Sequence, residues 1–194
     1  MNNKMKNLLS KLTLAVVAIA FVSTTSFAGD NKSEKTKMVG GAAMYPSKDI
    51  VDNAVNSKDH TTLVAAVKAA GLVETLKSAG PFTVFAPTND AFAKLPAGTV
   101  DNLLKPENKG TLTKVLTYHV VAGKMDAADL AKAIKAGGGK ATLKTVAGGT
   151  LTASMKGKNI MLSDENGGMA TVTISDVYQK NGVIHVINSV VLPK

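Results

Sequence analysis

The chain has 194 residues, 45% of them hydrophobic, and a formal net charge of +9 at pH 7 from 23 basic and 14 acidic residues. Every basic residue is lysine, there is no tryptophan, and aromatic residues make up only 4% of the chain. Nucleic-acid sites rely on the planar arginine fork and on stacking aromatic rings, so this composition argues against a nucleic-acid partner. The absence of cysteine excludes disulfides and a lipid-modified N-terminal cysteine.

Residues 1–28 have the pattern of a secretory signal peptide. Lysines precede an apolar run from Leu12 to Val22, and small residues lead to a predicted cleavage site after Ala28. A helix over that run is only about 16 Å long, against about 30 Å of membrane hydrocarbon, so we predict no transmembrane anchor. The mature protein is therefore expected to be exported, to the periplasm or beyond the cell.

After cleavage, 20 lysines face 14 acidic residues, which gives a net charge of +6. We interpret this excess as a solvated lysine coat, which also favours weak attachment to anionic polysaccharide or lipid head groups. Polar, charged and glycine residues open the mature chain, and we predict a flexible leader over 29–44 and one domain over 45–194.

Helical patterns come first in the domain. Ser47 is predicted to cap a short helix, and Asp59 or Thr61 a second helix that ends at Gly71. A third short helix is expected before Gly80, which the following proline makes a firm stop.

A short buried strand is predicted at 82–86, between two prolines. Thr88 is predicted to cap the helix that follows, with Asn89 and Asp90 in its first turn and Phe92 pointing inward.

Another helix with an apolar face precedes His119, and Asp126 is predicted to cap a later one. From Ala141 onward, apolar residues alternate with polar ones, which is typical of strands, and Asn166-Gly167 and Asn181-Gly182 are hairpin signals. The order of helices before strands predicts an α+β fold, with helices on one side of a mainly antiparallel sheet or sandwich.

Three segments occur in a specific order: Thr83–Phe92 (TVFAPTNDAF), Tyr118–Gly123 (YHVVAG) and Asn181–Pro193 (NGVIHVINSVVLP). Together they resemble the hallmark segments of the fasciclin domain, and the resemblance covers roughly residues 45 to 194. It implies a wedge-shaped α+β fold in which a small β-sandwich is flanked by helices. One departure is Asn188, where many members carry aspartate.

The resemblance also implies a class of function. Fasciclin proteins are secreted or surface-exposed and are associated with cell adhesion and with contact to extracellular matrix or polysaccharide, and a few algal members bind carotenoids. They share no enzymatic activity. Animal members often carry tandem domains that strengthen weak contacts, whereas this chain has one and is expected to be a monomer or a weak homo-oligomer.

The candidate residues for a partner or ligand come from the three matching segments. They are Thr88, Asn89, Asp90, Phe92, Tyr118, His119, His185 and Asn188. The alternative is structural, with Thr88, Asn89 and Asp90 as a helix cap and with His119 and His185 as hydrogen-bonded core residues.

No catalytic, cofactor or metal residues are predicted. The three histidines lack the close spacing typical of metal sites, no Gly-x-Ser-x-Gly nucleophile turn occurs, and the glycines before Lys140 lack the rest of a phosphate loop.

Two binding functions remain open. The first is an adhesion module that contacts a surface protein or polysaccharide, with salt-sensitive retention. The second is a carrier of an apolar ligand such as a carotenoid, in which Met155, Met161 and Met169 line a pocket, unless these methionines fill the core.

Overall fold

The structure, a computed structural model, describes residues 36–194. The predicted signal peptide, residues 1–28, lies outside the described residues, as does the first part of the predicted leader. Within residues 36–194, no helix has the length and apolar character needed to cross a bilayer.

The described residues form seven α-helices and nine β-strands. The helices are α1 (Ile50–Ala54), α2 (Thr61–Ala70), α3 (Val73–Lys77), α4 (Asn89–Ala93), α5 (Thr99–Leu103), α6 (Lys109–Tyr118) and α7 (Ala127–Ala136). The strands are β1 (Lys37–Val39), β2 (Ala42–Met44), β3 (Phe82–Pro87), β4 (Val120–Ala122), β5 (Lys140–Lys144), β6 (Thr150–Lys156), β7 (Asn159–Ser163), β8 (Met169–Gln179) and β9 (Gly182–Ile187).

The main sheet has seven strands in the order β4-β3-β9-β8-β7-β6-β5. Strands β3 and β9 pair in parallel, and the other neighbours pair antiparallel. The two ends of this order meet, because Val121 bridges Thr145 and the Val146 amide donates to the Val120 carbonyl at 2.8 Å. The α+β class is confirmed, but the predicted sandwich is not: the strands form one mixed, nearly closed sheet.

Strands β3 and β9 are buried on both faces and separate two apolar cores. Val84 and Ile184 face the core formed with α1, α2 and the first hairpin. Phe85 and Ile187 face the opposite core, which contains α7 and strands β5 to β8. A strand that buries both faces has a nearly continuous run of apolar residues in its sequence instead of an alternation with polar ones. Both β3 and β9 have this pattern.

The structure corrects the predicted leader over the part of it that is described. Strands β1 and β2 form a hairpin, with Val39 and Met44 each only 2% exposed in the first core. Gly40 permits this packing because its φ is +58° and a Cβ there would lie 2.3 Å from Ser57 Oγ. The domain therefore begins before Tyr45, its predicted start, because two buried side chains in a polar segment leave no periodic pattern in the sequence.

Predicted helix caps have mixed outcomes. Thr88 Oγ1 accepts from the Ala91 amide at 3.2 Å, and Asp126 forms a reciprocal capping box with Asp129, so both caps are confirmed. The Ser47 prediction is wrong, because Asp49 caps α1 by accepting from the Asp52 amide.

The Asn181 side chain ties the β8–β9 turn to two helices. Its Oδ1 accepts from the Ile50 amide at 3.1 Å, and its Nδ2 donates to the Leu76 carbonyl at 2.7 Å and the Ser78 carbonyl at 2.9 Å. Asn181 is part of a predicted hairpin signal, but its buried amide has this second role, which no local sequence pattern reveals.

We expect Asn181→Ala to destabilise the protein by about 2–4 kcal/mol, because it leaves a buried amide and buried carbonyls without partners. Chemical denaturation of this variant and of Asn159→Ala, an exposed control on β7, measures the effect. A loss no larger than that of the control, about 0.5 kcal/mol, would contradict this role.

Candidate functional site

The first and third hallmark segments lie side by side at one end of the parallel strand pair. Pro87 is aligned with Ile187 in the β3–β9 register, and the Thr88 amide donates to the Ile187 carbonyl at 3.3 Å. Thr88 and Asn188, the residues that follow the two strands, are therefore neighbours. The fold thus brings together two segments that are about a hundred residues apart in the chain.

Two of the three polar residues after β3 stabilise α4 and its contact with residues 58–62. Thr88 caps α4, and Asn89 joins α4 to the preceding segment, because its Oδ1 accepts from the Thr62 amide at 3.0 Å and its Nδ2 donates to the Lys58 carbonyl at 2.8 Å. Asp90 is exposed. A partner on this side can reach the Asp90 carboxylate, whereas the Thr88 and Asn89 polar atoms are already hydrogen-bonded.

Asn188 fixes the segment after β9. Its Oδ1 accepts from the Thr171 amide at 2.8 Å, and its backbone carbonyl accepts from Lys94 Nζ at 2.6 Å. The acceptor atom used here is one that aspartate also has, which explains why an asparagine fits at this position.

Phe92 and Tyr118 are core residues, 7% and 0% exposed. The Tyr118 hydroxyl donates to the Thr150 carbonyl at 2.5 Å and accepts from the Glu165 amide at 3.3 Å. Burial raises the pKa of this phenol. Tyr118 therefore links α6 to the start of β6, with its ring and hydroxyl inside the protein.

His119 is buried, and its ring makes two hydrogen bonds, one as donor and one as acceptor, which require the neutral form. Its Nδ1 donates to the Val115 carbonyl at 2.8 Å, and its Nε2 accepts from the Val191 amide at 3.3 Å. Burial lowers the pKa of His119 to about 4.

His185 is held in the same way. Its Nε2 donates to the Met125 carbonyl at 2.9 Å, its Nδ1 accepts from the Asp176 amide at 3.4 Å, and its ring stacks on Phe85 with centroids 5.7 Å apart. Burial also lowers the pKa of His185. The prediction that His119 and His185 are hydrogen-bonded core histidines is confirmed.

The eight candidate residues therefore divide by accessibility. Phe92, Tyr118, His119 and His185 are buried, which corrects any expectation that they contact a macromolecular partner. Thr88, Asn89, Asp90 and Asn188 are half-buried or exposed and remain candidates for such contact. No group of three or more metal-ligating side chains is positioned to hold a metal ion within residues 36–194.

An apolar cavity of about 80 Å³ lies in the first core, between the helices α1 to α3 and the sheet. Its lining is almost entirely apolar and includes Met44, Leu63 and Ile184, together with His60 and His119. His119 is thus the one candidate residue that faces this space.

A second depression, open to solvent and about 440 Å³ in volume, lies where β4 and β5 approach each other beside α7. Val121, Met125 and Ala141 contribute to its lining. The three methionines considered in the sequence neither line these two spaces nor fill a core: Met155 and Met169 are exposed and Met161 is half-buried on the sheet exterior.

The fold and these segments have counterparts in known proteins. The fasciclin domain family model matches residues 58–193. Protein sll1483 of Synechocystis sp. is 47% identical over 182 residues, which cover 94% of this chain and 89% of that protein. Immunogenic protein MPB70 of Mycobacterium bovis is 38% identical over 145 residues, which cover 72% of this chain and 66% of that protein.

A solved structure of a FAS1 domain pair from the insect cell adhesion molecule Fasciclin I has the same fold. Its TM-score is 0.67 at 18% sequence identity, over 76% of this chain and 52% of that chain. The match over residues 58–193 and the near full-length relative show that this chain belongs to the fasciclin family.

Proposed function

We propose that this protein is an exported, non-catalytic binding module that attaches to a cell-surface component or polysaccharide. The observation that carries the proposal is that nearly all of its described lysines lack an ion-pair partner. Residues 36–194 contain 18 lysines and 12 acidic residues, and within this range only Lys77 forms ion pairs, with Asp49 and Asp52. The remaining ammonium groups form no ion pair with carboxylates of the described chain. A few of them, such as that of Lys94, donate to backbone carbonyls, and the others are available to an anionic partner.

Family membership supports the same function, because one structural relative is a cell adhesion molecule. A single domain with weak contacts binds firmly only where many copies engage one surface. The proposal therefore places the protein in the periplasm or outside the cell, as a monomer or weak homo-oligomer that acts at high local density.

The mature protein, residues 29–194, is expected to cosediment with the host cell envelope and to bind immobilised anionic polysaccharide at low salt. Retention should fall steeply as salt rises, because the screening length shrinks from about 10 Å at 0.1 M to about 3 Å at 1 M. Neutral dextran beads are the control. Equal recovery from neutral and anionic matrices, or no recovery from any envelope fraction, would contradict the proposal.

A second candidate function, a carrier for an apolar ligand such as a carotenoid, is favoured by the two apolar spaces. The cavity in the first core, at about 80 Å³, is smaller than the cavity of about 150 Å³ known to admit benzene, so a long polyene requires the helices to move apart. The open depression beside α7, at about 440 Å³, offers more room without such a movement.

Under the carrier hypothesis, protein purified from its native host should contain a polyene or lipid, seen in its visible spectrum and in mass spectra of its organic extract. Added ligand should raise the melting temperature of protein made in a host without carotenoids, because ligand that binds only the folded state stabilises it. A colourless protein with an empty extract and no thermal shift would rule this function out.

The buried histidines make stability depend on pH. Burial lowers the pKa of His60, His119 and His185 below 6.5, so between pH 6.5 and about 4 the unfolded chain binds more protons than the folded one. Their neutral forms therefore stabilise the fold fully above pH 6.5, and this contribution is lost as the pH falls.

We expect the free energy of unfolding to drop from pH 7 to pH 4, by about 3 kcal/mol from His119 alone. His119→Gln should be less stable at pH 7 by about 1–3 kcal/mol, and its stability should vary less with pH. Urea denaturation across this pH range measures both effects. An unchanged pH profile in the variant would show that His119 is not the titrating group.

A further inference from the structure

The sheet exterior over β5 to β8 has a distinctive charge. From Lys140 to Ser163 the chain contains four lysines and no carboxylate residue. This stretch covers strands β5, β6 and β7, whose inward residues, such as Leu143 and Leu151, pack in the second core with α7. Apart from Met161, the outward residues of these strands are polar, and none of them carries a negative charge that would repel an anionic partner.

The strand register places the outward residues in cross-strand rows. Lys140 lies opposite Ser154, and Thr142 lies opposite Thr152. Beyond them, Ser154 is aligned with Met161 and Thr152 with Ser163, and Met161 is in turn aligned with Thr171. Neighbouring strands are about 4.8 Å apart, so hydroxyl groups recur across this face at short, regular spacing.

We name this surface the hydroxyl-lysine face. Its members are Lys140, Thr142, Lys144, Thr152, Ser154, Lys156, Ser163 and Thr171.

Its polar groups have no partners in the described chain. The three lysines form no ion pair, and the five hydroxyl groups form no side-chain hydrogen bond with residues 36–194. Lys140 and Lys156 are diagonal neighbours on adjacent strands, with Cα atoms about 7–8 Å apart. The Cα atom of Lys144 lies about 13 Å along β5 from that of Lys140. Glu165, at the corner beside Thr150, already accepts from the Thr150 amide at 2.9 Å.

We infer that the hydroxyl-lysine face binds an anionic polysaccharide, with lysines on its carboxylate or sulfate groups and hydroxyls on its sugar hydroxyls. The inference rests on the proposed binding function and identifies the surface that performs it. Complementary charge and unoccupied hydroxyl donors suit a polyhydroxylated anion. The face has no arginine or aromatic residue for nucleic acid. Its apolar neighbours are Met161 and the exposed Met169, and it has none of the tryptophan, phenylalanine or leucine residues typical of a surface that enters a membrane.

The test compares two triple variants of equal net charge. Lys140→Gln, Lys144→Gln and Lys156→Gln change the face, whereas Lys58→Gln, Lys105→Gln and Lys180→Gln change exposed lysines elsewhere. Binding to immobilised polygalacturonate and dextran sulfate is measured at fixed salt, with neutral dextran as blank. We expect the face variant to lose affinity about tenfold and the control variant to lose much less.

The hydroxyl contribution is tested without any change in charge. Thr142→Val together with Thr152→Val should weaken binding about threefold, because loss of two hydroxyl contacts removes a modest part of the affinity. All the altered side chains are on the exterior, so every variant is expected to fold. Thermal melts of each variant check this.

The outcomes separate this inference from the proposed function. If the wild-type protein binds and both lysine variants weaken equally, net charge alone accounts for binding and the face is overturned, while the binding function stands. If the wild-type protein binds no anionic matrix or envelope, the proposed function itself fails. Stronger face-dependent binding to phosphatidylglycerol vesicles than to either polysaccharide would overturn the choice of partner.

Discussion

The parallel pairing of β3 with β9 is the constraint on which the rest of the structure depends. Both strands bury both faces, so their apolar residues, such as Val84 and Phe85, are divided between two cores. A parallel pair cannot be joined by a tight turn, and here the connection between the strands comprises most of the domain. Helices α4 to α7 and strands β4 to β8 lie within that connection and pack around the strand pair.

This constraint explains why the most recognisable segments of the sequence are largely internal. Phe92, Tyr118 and His185 satisfy buried packing and hydrogen-bonding requirements around the central strands, and such requirements tolerate little variation. Contacts with a partner depend instead on exterior residues, which the fold leaves free to differ. The segments that identify the family and the surface proposed to bind are therefore different parts of this molecule.

Local physical chemistry made part of this structure predictable. The caps at Thr88 and Asp126 follow from residue type and from the apolar residues after them, and the buried state of His119 follows from its place on an apolar helical face.

Features that depend on distant parts of the chain were not predictable in this way. The hairpin at 37–44 is held by contact with residues elsewhere in the core, and the Asn181 amide is positioned by helices about a hundred residues away. The hydroxyl-lysine face becomes visible only when strand register aligns residues from four strands. Each residue in it, taken alone, is an ordinary solvated side chain.

The meeting of β4 with the end of β5 has a consequence for crowding. An open sheet presents unpaired amides and carbonyls at its margins, and such margins template the addition of strands from other molecules. Here the Val121–Thr145 bridge joins the two outermost strands of the large sheet at one point, so the backbone groups paired there are not available to another molecule. Copies packed side by side on one surface therefore have fewer such groups through which one chain could add a strand to another.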